Sequence, residues 1–209
     1  EQAAQQSYNF IEDYEISFMI VFIVLVTLLI LYIVYENHTR NKELLKYAQT
    51  DALTGLYNKE TTEQLTDELL SEDENKYHAF LILDVDCFKQ INDIYGHAVG
   101  DIVLQKFGKL LKGTFREGDI LGRIGGDEFG VIMKNIQTKD IAMKKAEELL
   151  AKTQAYKIDE LKGNNISISI GISTAPQDGD CYMDLYKRAD QALYQAKRSG
   201  KARVCNYFS

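Results

Sequence analysis

Two short stretches hold the acids that could do chemistry together. Asp84-Val85-Asp86 ends the apolar run "AFLILDVD", and Asp127-Glu128 follows Gly125 and Gly126 in "RIGGDEFGVIM". Four carboxylates gathered at one edge would repel one another. Either a positive group lies among them or their pKa values rise. Hard oxygen ligands beside bare backbone N–H groups suit Mg²⁺ with a phosphate chain. The two glycines are expected to take positive φ in the turn and to let a ligand approach the backbone closely. The bland alternative makes Asp86 a helix cap and Glu128 a solvated acid, and it weakens if the fold brings all four acids to one place.

The elements that must position these acids can be read from periodicity. Residues 79–86 form a continuous apolar run, as in a strand buried on both faces. Asn58 is placed to cap a helix that runs to about Ser71. Residues 98–115 carry Val103, Leu104, Phe107, Leu110 and Leu111 on one helical stripe. "DILGRI" and "EFGVIM" read as strands around "GGD", residues 139–155 as a helix, 166–173 as an alternating strand, and 181–199 as a helix before a short strand in "ARVCNY". The core order is strand, helix, strand, strand, helix, strand. It predicts an α+β, ferredoxin-like (βαββαβ) fold with spatial strand order 4-1-3-2. That order lays the first strand beside the third and brings Asp84 and Asp86 to the edge that holds Asp127 and Glu128.

Residues 16–35, "ISFMIVFIVLVTLLILYIVY", hold no charge, Pro or Gly. Twenty helical residues cover roughly 30 Å, the thickness of a bilayer core. The flank before the run is acidic and the flank after it carries Arg40, Lys42 and Lys46. The excess of basic residues predicts a single-pass span with its C-terminal side in the cytoplasm. Residues 1–15 are then expected outside, closing a larger sensor of an unknown signal. Residues 36–50 read as a linker helix whose short apolar patch (Leu44, Leu45, Ala48) leaves both a paired and a solvated helix open. Residues 51–209 are the expected catalytic part. The net charge of −7 argues against binding of a nucleic acid polymer. Cys87, Cys181 and Cys205 lie far apart with no C-x-x-C pair and are expected as free thiols.

From about residue 50 to 207 the chain resembles the GGDEF family of diguanylate cyclases. The blocks that carry the resemblance are "DALTGLYNK", "LDVDCFKQINDIYGHAVGD", "REGD", "RIGGDEF", "SISIGIS" and "RADQALYQAKRSGKAR". The resemblance implies condensation of two GTP into cyclic di-GMP with release of two pyrophosphates. Each domain of a homodimer would hold one GTP. It implies two Mg²⁺ (or Mn²⁺) per active site on Asp84, the Val85 carbonyl, Asp127 and Glu128. Glu128 would alternatively deprotonate the attacking hydroxyl. It implies guanine reading by Asn92 and Asp101. Asp101 favours GTP, since a carboxylate can accept both N1–H and the exocyclic amine of guanine. It implies phosphate binding by Lys89, Lys197, Lys201 and the backbone N–H groups of Cys87 and Phe88. Gly125 and Gly126 belong to the substrate loop. Arg116 and Asp119 match the family's RxxD product-inhibition site. Lys59 stands where Arg is common and Ala202 where Asn is common, and the second puts local loop stability in question. A catalytically idle domain that binds GTP or cyclic di-GMP and passes on a signal is the alternative.

Overall fold

The structure is a computed structural model that describes residues 18–19, 22–38, 40, 48–72 and 76–207. The chain divides into two units, Glu1–Ala48 and Gln49–Ser209. In the first, residues 22–38 are helical, and Phe22, Ile23, Leu25, Leu28, Leu29, Leu31 and Val34 are all exposed. Among the described residues no helix is long and apolar enough to cross a membrane. The predicted span begins at residue 16, and its residues 16, 17, 20 and 21 lie outside the described set, as do Lys42, Leu44, Leu45 and Lys46 of the predicted linker and residues 1–15.

The second unit opens with helix α1 (Lys59–Glu72). Strand β1 (His78–Val85), helices α2 (Phe88–Tyr95) and α3 (His97–Thr114), and strands β2 (Ile120–Arg123) and β3 (Glu128–Met133) follow. Then come α4 (Lys139–Ala155), a small hairpin of β4 (Lys157–Ile158) and β5 (Asn164–Asn165) around a 3-10 turn, β6 (Ile168–Ala175), α5 (Tyr182–Arg198) and β7 (Val204–Asn206). The main sheet has the order β2-β3-β1-β6-β7. Its four core strands reproduce the expected antiparallel 4-1-3-2 arrangement, and β7 adds one parallel edge strand beside β6.

Alternation along β1 divides the core. Ala79, Leu81, Leu83 and Val85 join Val103, Leu104, Phe107, Leu111, Ala142 and Leu149 on the side of α3 and α4. Phe107 meets Phe129 there edge-on, with ring centroids 4.9 Å apart, a geometry worth about 1 kcal/mol beyond its buried area. Phe80 and Ile82 join Leu70, Tyr182, Leu185, Ala189 and Leu193 on the side of α1 and α5. Helix α5 lies directly on β6 at Gly171. A Cβ there would fall 2.1 Å from the Ala189 carbonyl oxygen and 2.4 Å from the Leu193 nitrogen. That close approach needs a residue without a side chain, and it fixes the height of α5 above the sheet.

Helix α1 starts where expected, since the Asn58 carboxamide oxygen accepts the Thr61 N–H at 2.9 Å. Helix α2 and the β4–β5 hairpin add to the predicted elements. The three cysteines are free.

Candidate active site

β1 and β3 place the central acids. Asp84 and Glu128 are direct cross-strand partners, so their side chains share one face of the sheet. The alternation of β1 makes it the face covered by α5, because Asp84 continues the series Phe80, Ile82. Asp127 belongs to the loop joining β2 to β3, and its carbonyl accepts the Val85 N–H at 3.2 Å. The fold thus joins the two acidic stretches at one rim.

Both predicted responses to crowded charge occur. A cation is present: Lys197 of α5 sets its Nζ 2.7 Å from Asp84 Oδ2. The pKa values also rise. Burial pushes the Asp84 carboxyl up, against the pull of Lys197, and the charges of Asp127 and Asp86 add to the rise. Burial raises Glu128 too, followed by the charge of Asp84, with Lys197 opposing and Asp127 and Asp190 adding. The three acids do not bring one oxygen each within 4.8 Å of one another. Among the described residues only Asp180, Cys181 and Asp184 do that. A buried carboxylate at Asp84, half-buried ones at Asp127 and Glu128, a backbone carbonyl at Val85 and a cation already drawn onto Asp84 make a donor set that fits a hard divalent ion.

Asp86 does different work. It is 7% exposed, and it accepts the hydroxyls of Ser167 at 2.6 Å and Ser169 at 2.8 Å and the Ala202 N–H at 3.2 Å. It neither joins the rim acids nor caps α2. It latches the end of β1 to the approach to β6 and to the turn after α5. The alternation "ISISIGIS" that marks the strand also holds the sign, since serines at 167 and 169 face one way.

The signature loop corrects one expectation. Neither Gly125 nor Gly126 has a positive φ. The loop spans residues 124–127, one more than the expected "GGD", and turns without a left-handed residue. A Cβ on Gly125 would lie 2.9 Å from Glu128 Oε2 and 3.1 Å from Glu128 Cβ, so Gly125 makes room for the acid. At Gly126 a Cβ would meet nothing within 4 Å, which leaves that backbone open to approach. Arg123, absent from the predicted site, shapes the loop. Its Nε and Nη2 donate to the Gly126 carbonyl at 3.2 and 2.7 Å, and its Nη1 donates to the Asp51 carboxylate, 3.1 Å from Oδ2. Burial raises the Asp51 pKa, but the Thr54 hydroxyl and N–H and the Arg123 charge outweigh it and hold the carboxyl below its usual value. The turn "DALTGLY" is thereby tied to the signature loop.

Cys87, Phe88 and Lys201 stand at the same end of β1. Cys87 has φ 58° and precedes α2, so the N–H groups of Cys87 and Phe88 lie at a helix N-terminus, which leaves its first N–H groups without internal acceptors. Lys89 is exposed on α2's first turn. Lys201 reaches back and sets its Nζ 3.1 Å from Cys87 Sγ, a contact that heads the causes raising the Lys201 pKa. Lys201 and Ala202 both have positive φ, 61° and 50°. Asparagine tolerates that region better than alanine, so the loop stability questioned at position 202 has a backbone reason. Asn92 is half-buried near the end of α2, and Asp101 is exposed in the second turn of α3.

Arg116 is exposed, and Asp119 shapes its turn. Asp119 Oδ2 accepts the Arg116 N–H at 3.1 Å and Oδ1 accepts the Lys134 N–H at 3.0 Å. The pair sits at the end of the β2–β3 hairpin opposite the signature loop.

Residues 48–203 match the family described as "Diguanylate cyclase, GGDEF domain". Diguanylate cyclase A of Treponema denticola is 37% identical over 170 residues, covering 78% of this chain and 46% of that protein. The chain spans about half the length of the curated relatives it matches. The solved GGDEF domain of TpbB from Pseudomonas aeruginosa superposes with a TM-score of 0.72 at 33% identity, covering 76% of this chain and 94% of that one. The coiled coil and GGDEF domain of DgcB from Caulobacter crescentus, solved in complex with c-di-GMP, gives 0.76 at 25% identity, with 83% and 93% coverage.

Proposed function

The chain belongs to the GGDEF family of diguanylate cyclases, and from that membership we propose that it joins two GTP into cyclic di-GMP, releasing two pyrophosphates, as a homodimer. The observation that carries this reading is the Asp84–Glu128 cross-strand pair, with Asp127 beside it in the loop and Lys197 drawn onto Asp84. Each domain binds one GTP. Asp101 and Asn92 take the guanine. Lys89, Lys197, Lys201 and the N–H groups of Cys87 and Phe88 take the triphosphate, and the open backbone at Gly126 admits it.

Mg²⁺ or Mn²⁺, two per site on Asp84, Asp127, Glu128 and the Val85 carbonyl, would supply charge neutralisation at the phosphates when bound. The reaction itself is a displacement. The 3′-oxygen of one GTP bonds to the α-phosphorus of the other, the bond from that phosphorus to the β-phosphate oxygen breaks, and pyrophosphate leaves. The reciprocal displacement closes the ring. Glu128, where it is not a metal ligand, accepts the proton of the attacking hydroxyl. Its raised pKa brings it closer to working pH than an ordinary glutamate, as a general base requires. The lysines stabilise charge on the phosphates.

Product binding at Arg116 restrains the enzyme. Asp119 holds the turn with both carboxylate oxygens, leaving the Arg116 guanidinium outward for a phosphate or a guanine. The uncharged run at 16–35 and the basic residues after it support an inner-membrane anchor with the catalytic unit in the cytoplasm. A signal received outside would reach the catalytic unit through residues 36–50.

Incubating the full chain with GTP and Mg²⁺ tests the reading. Cyclic di-GMP and pyrophosphate should appear in a ratio of one to two. Pyrophosphate without a cyclic dinucleotide, or no turnover, would contradict it.

A further inference from the structure

Gly100 poses a question that its own backbone does not answer. It lies buried in the first turns of α3, and its φ is not among the positive ones. Alanine is the better helix former at such a position. The reason for glycine is across the gap. A Cβ on Gly100 would fall 1.9 Å from Asn92 Oδ1, 3.0 Å from Asn92 Cγ and 3.2 Å from Phe88 Cζ. No rotamer adjustment of a few tenths of an ångström removes the first of these contacts.

The Asn92 carboxamide oxygen therefore occupies the place that a side chain on Gly100 would take. The surrounding backbone closes this arrangement. Gly96, with φ 87°, joins α2 to α3 in one residue. Its N–H donates to the Asn92 carbonyl at 2.9 Å, and its carbonyl accepts the Gly100 N–H at 3.2 Å. Asn92 and Gly100 face each other across that corner, and Asp101 follows directly.

A base reader has to be held in one place against the purine edge. We infer that Gly100 is the positioning residue for guanine recognition: having no side chain, it leaves the space that the Asn92 carboxamide occupies, and a Cβ there would push the carboxamide out of it. The inference rests on the proposed reading of guanine by Asn92. Phe88, also against Gly100, needs to yield only slightly to a Cβ at 3.2 Å.

The test is steady-state kinetics of full-length Gly100→Ala, Asn92→Ala and the double variant with GTP and Mg²⁺, together with their melting temperatures. Gly100→Ala should keep its melting temperature and raise KM for GTP about tenfold, while kcat changes less than about threefold. Asn92→Ala should raise KM by a similar factor, and Gly100→Ala should add nothing in that background. If Asn92→Ala raises KM and Gly100→Ala does not, the inference fails and the guanine reading stands. If Asn92→Ala itself leaves KM unchanged, the guanine reading fails and takes the inference with it. Should Gly100→Ala unfold, the double variant decides. Folded with the KM of Asn92→Ala, it supports the positioning role. Unfolded, or with a further rise in KM, it makes Gly100 a packing residue and overturns the inference.

Discussion

The β2–β3 hairpin has acids at both ends, and they live under opposite conditions. At the open end, Asp119 gives one carboxylate oxygen to the Arg116 N–H and the other to the Lys134 N–H. At the closed end, Asp127 and Glu128 share a half-buried rim with Asp84. One lysine ammonium is bound there, and burial pushes the Asp84 and Glu128 pKa values up. The first acid holds a turn together. The second group opposes its own folding, and such unrelieved charge is tolerated where chemistry needs it. Asp86 sharpens the contrast, because it lies two residues from Asp84 and yet is satisfied like Asp119.

Substitutions at the two ends should therefore separate activity from stability. Glu128→Gln is expected to have a large effect on rate, a loss on the order of 10²–10³ in kcat if Glu128 is the base. Its effect on stability should have the opposite sign. A carboxyl whose folded-state pKa is raised loses stability as pH rises from its unfolded to its folded value, and the penalty persists above it. Glu128→Gln should melt higher than the wild type at neutral pH, and the advantage should vanish once pH falls below the ordinary glutamate range. A variant that melts lower at neutral pH would end the claim that the rim opposes folding.

Asp86→Ala should cost about 3 kcal/mol in denaturant unfolding, since it strands two serine hydroxyls and the Ala202 N–H. Its stability should be unchanged only if the latch is illusory. Asp119→Ala should cost about 2 kcal/mol by the same measurement with the initial rate retained. A collapse of rate would move Asp119 into the catalytic group. Arg116→Ala should have the smallest effect, an initial rate within about twofold of wild type, with inhibition by added cyclic di-GMP relieved. Unchanged inhibition would remove the regulatory role from this end of the hairpin.

The sequence made the meeting of the rim acids legible because strand alternation and element order set strand pairing, and pairing sets register. Asp84 opposite Glu128 follows from those rules. It also showed the stripe on α3, where Val103, Leu104, Phe107 and Leu111 are buried as spaced. Helix α2 escaped notice because it has only eight residues, although Phe88, Ile91 and Tyr95 repeat at helical intervals against the core. The β4–β5 hairpin has two residues per strand, too few for any period to show. For the signature glycines the sequence predicts positive φ and an open backbone; the backbone is open at Gly126, whereas Gly125 serves volume. That distinction depends on where the Glu128 side chain lies. The roles of Arg123 and Asp86 depend on partners distant in sequence, Asp51 for one and Ser167, Ser169 and Ala202 for the other, which no local pattern reveals.

The most direct test pairs the full chain with its Asp127→Ala variant, assayed side by side for cyclic di-GMP from GTP across a Mg²⁺ titration and melted under the same conditions. The wild type should form product in a Mg²⁺-dependent way, and the variant should form none at any Mg²⁺ concentration while melting no lower. Product formation by the variant at near wild-type rate would contradict the assignment of the acidic rim as the metal-dependent catalytic centre.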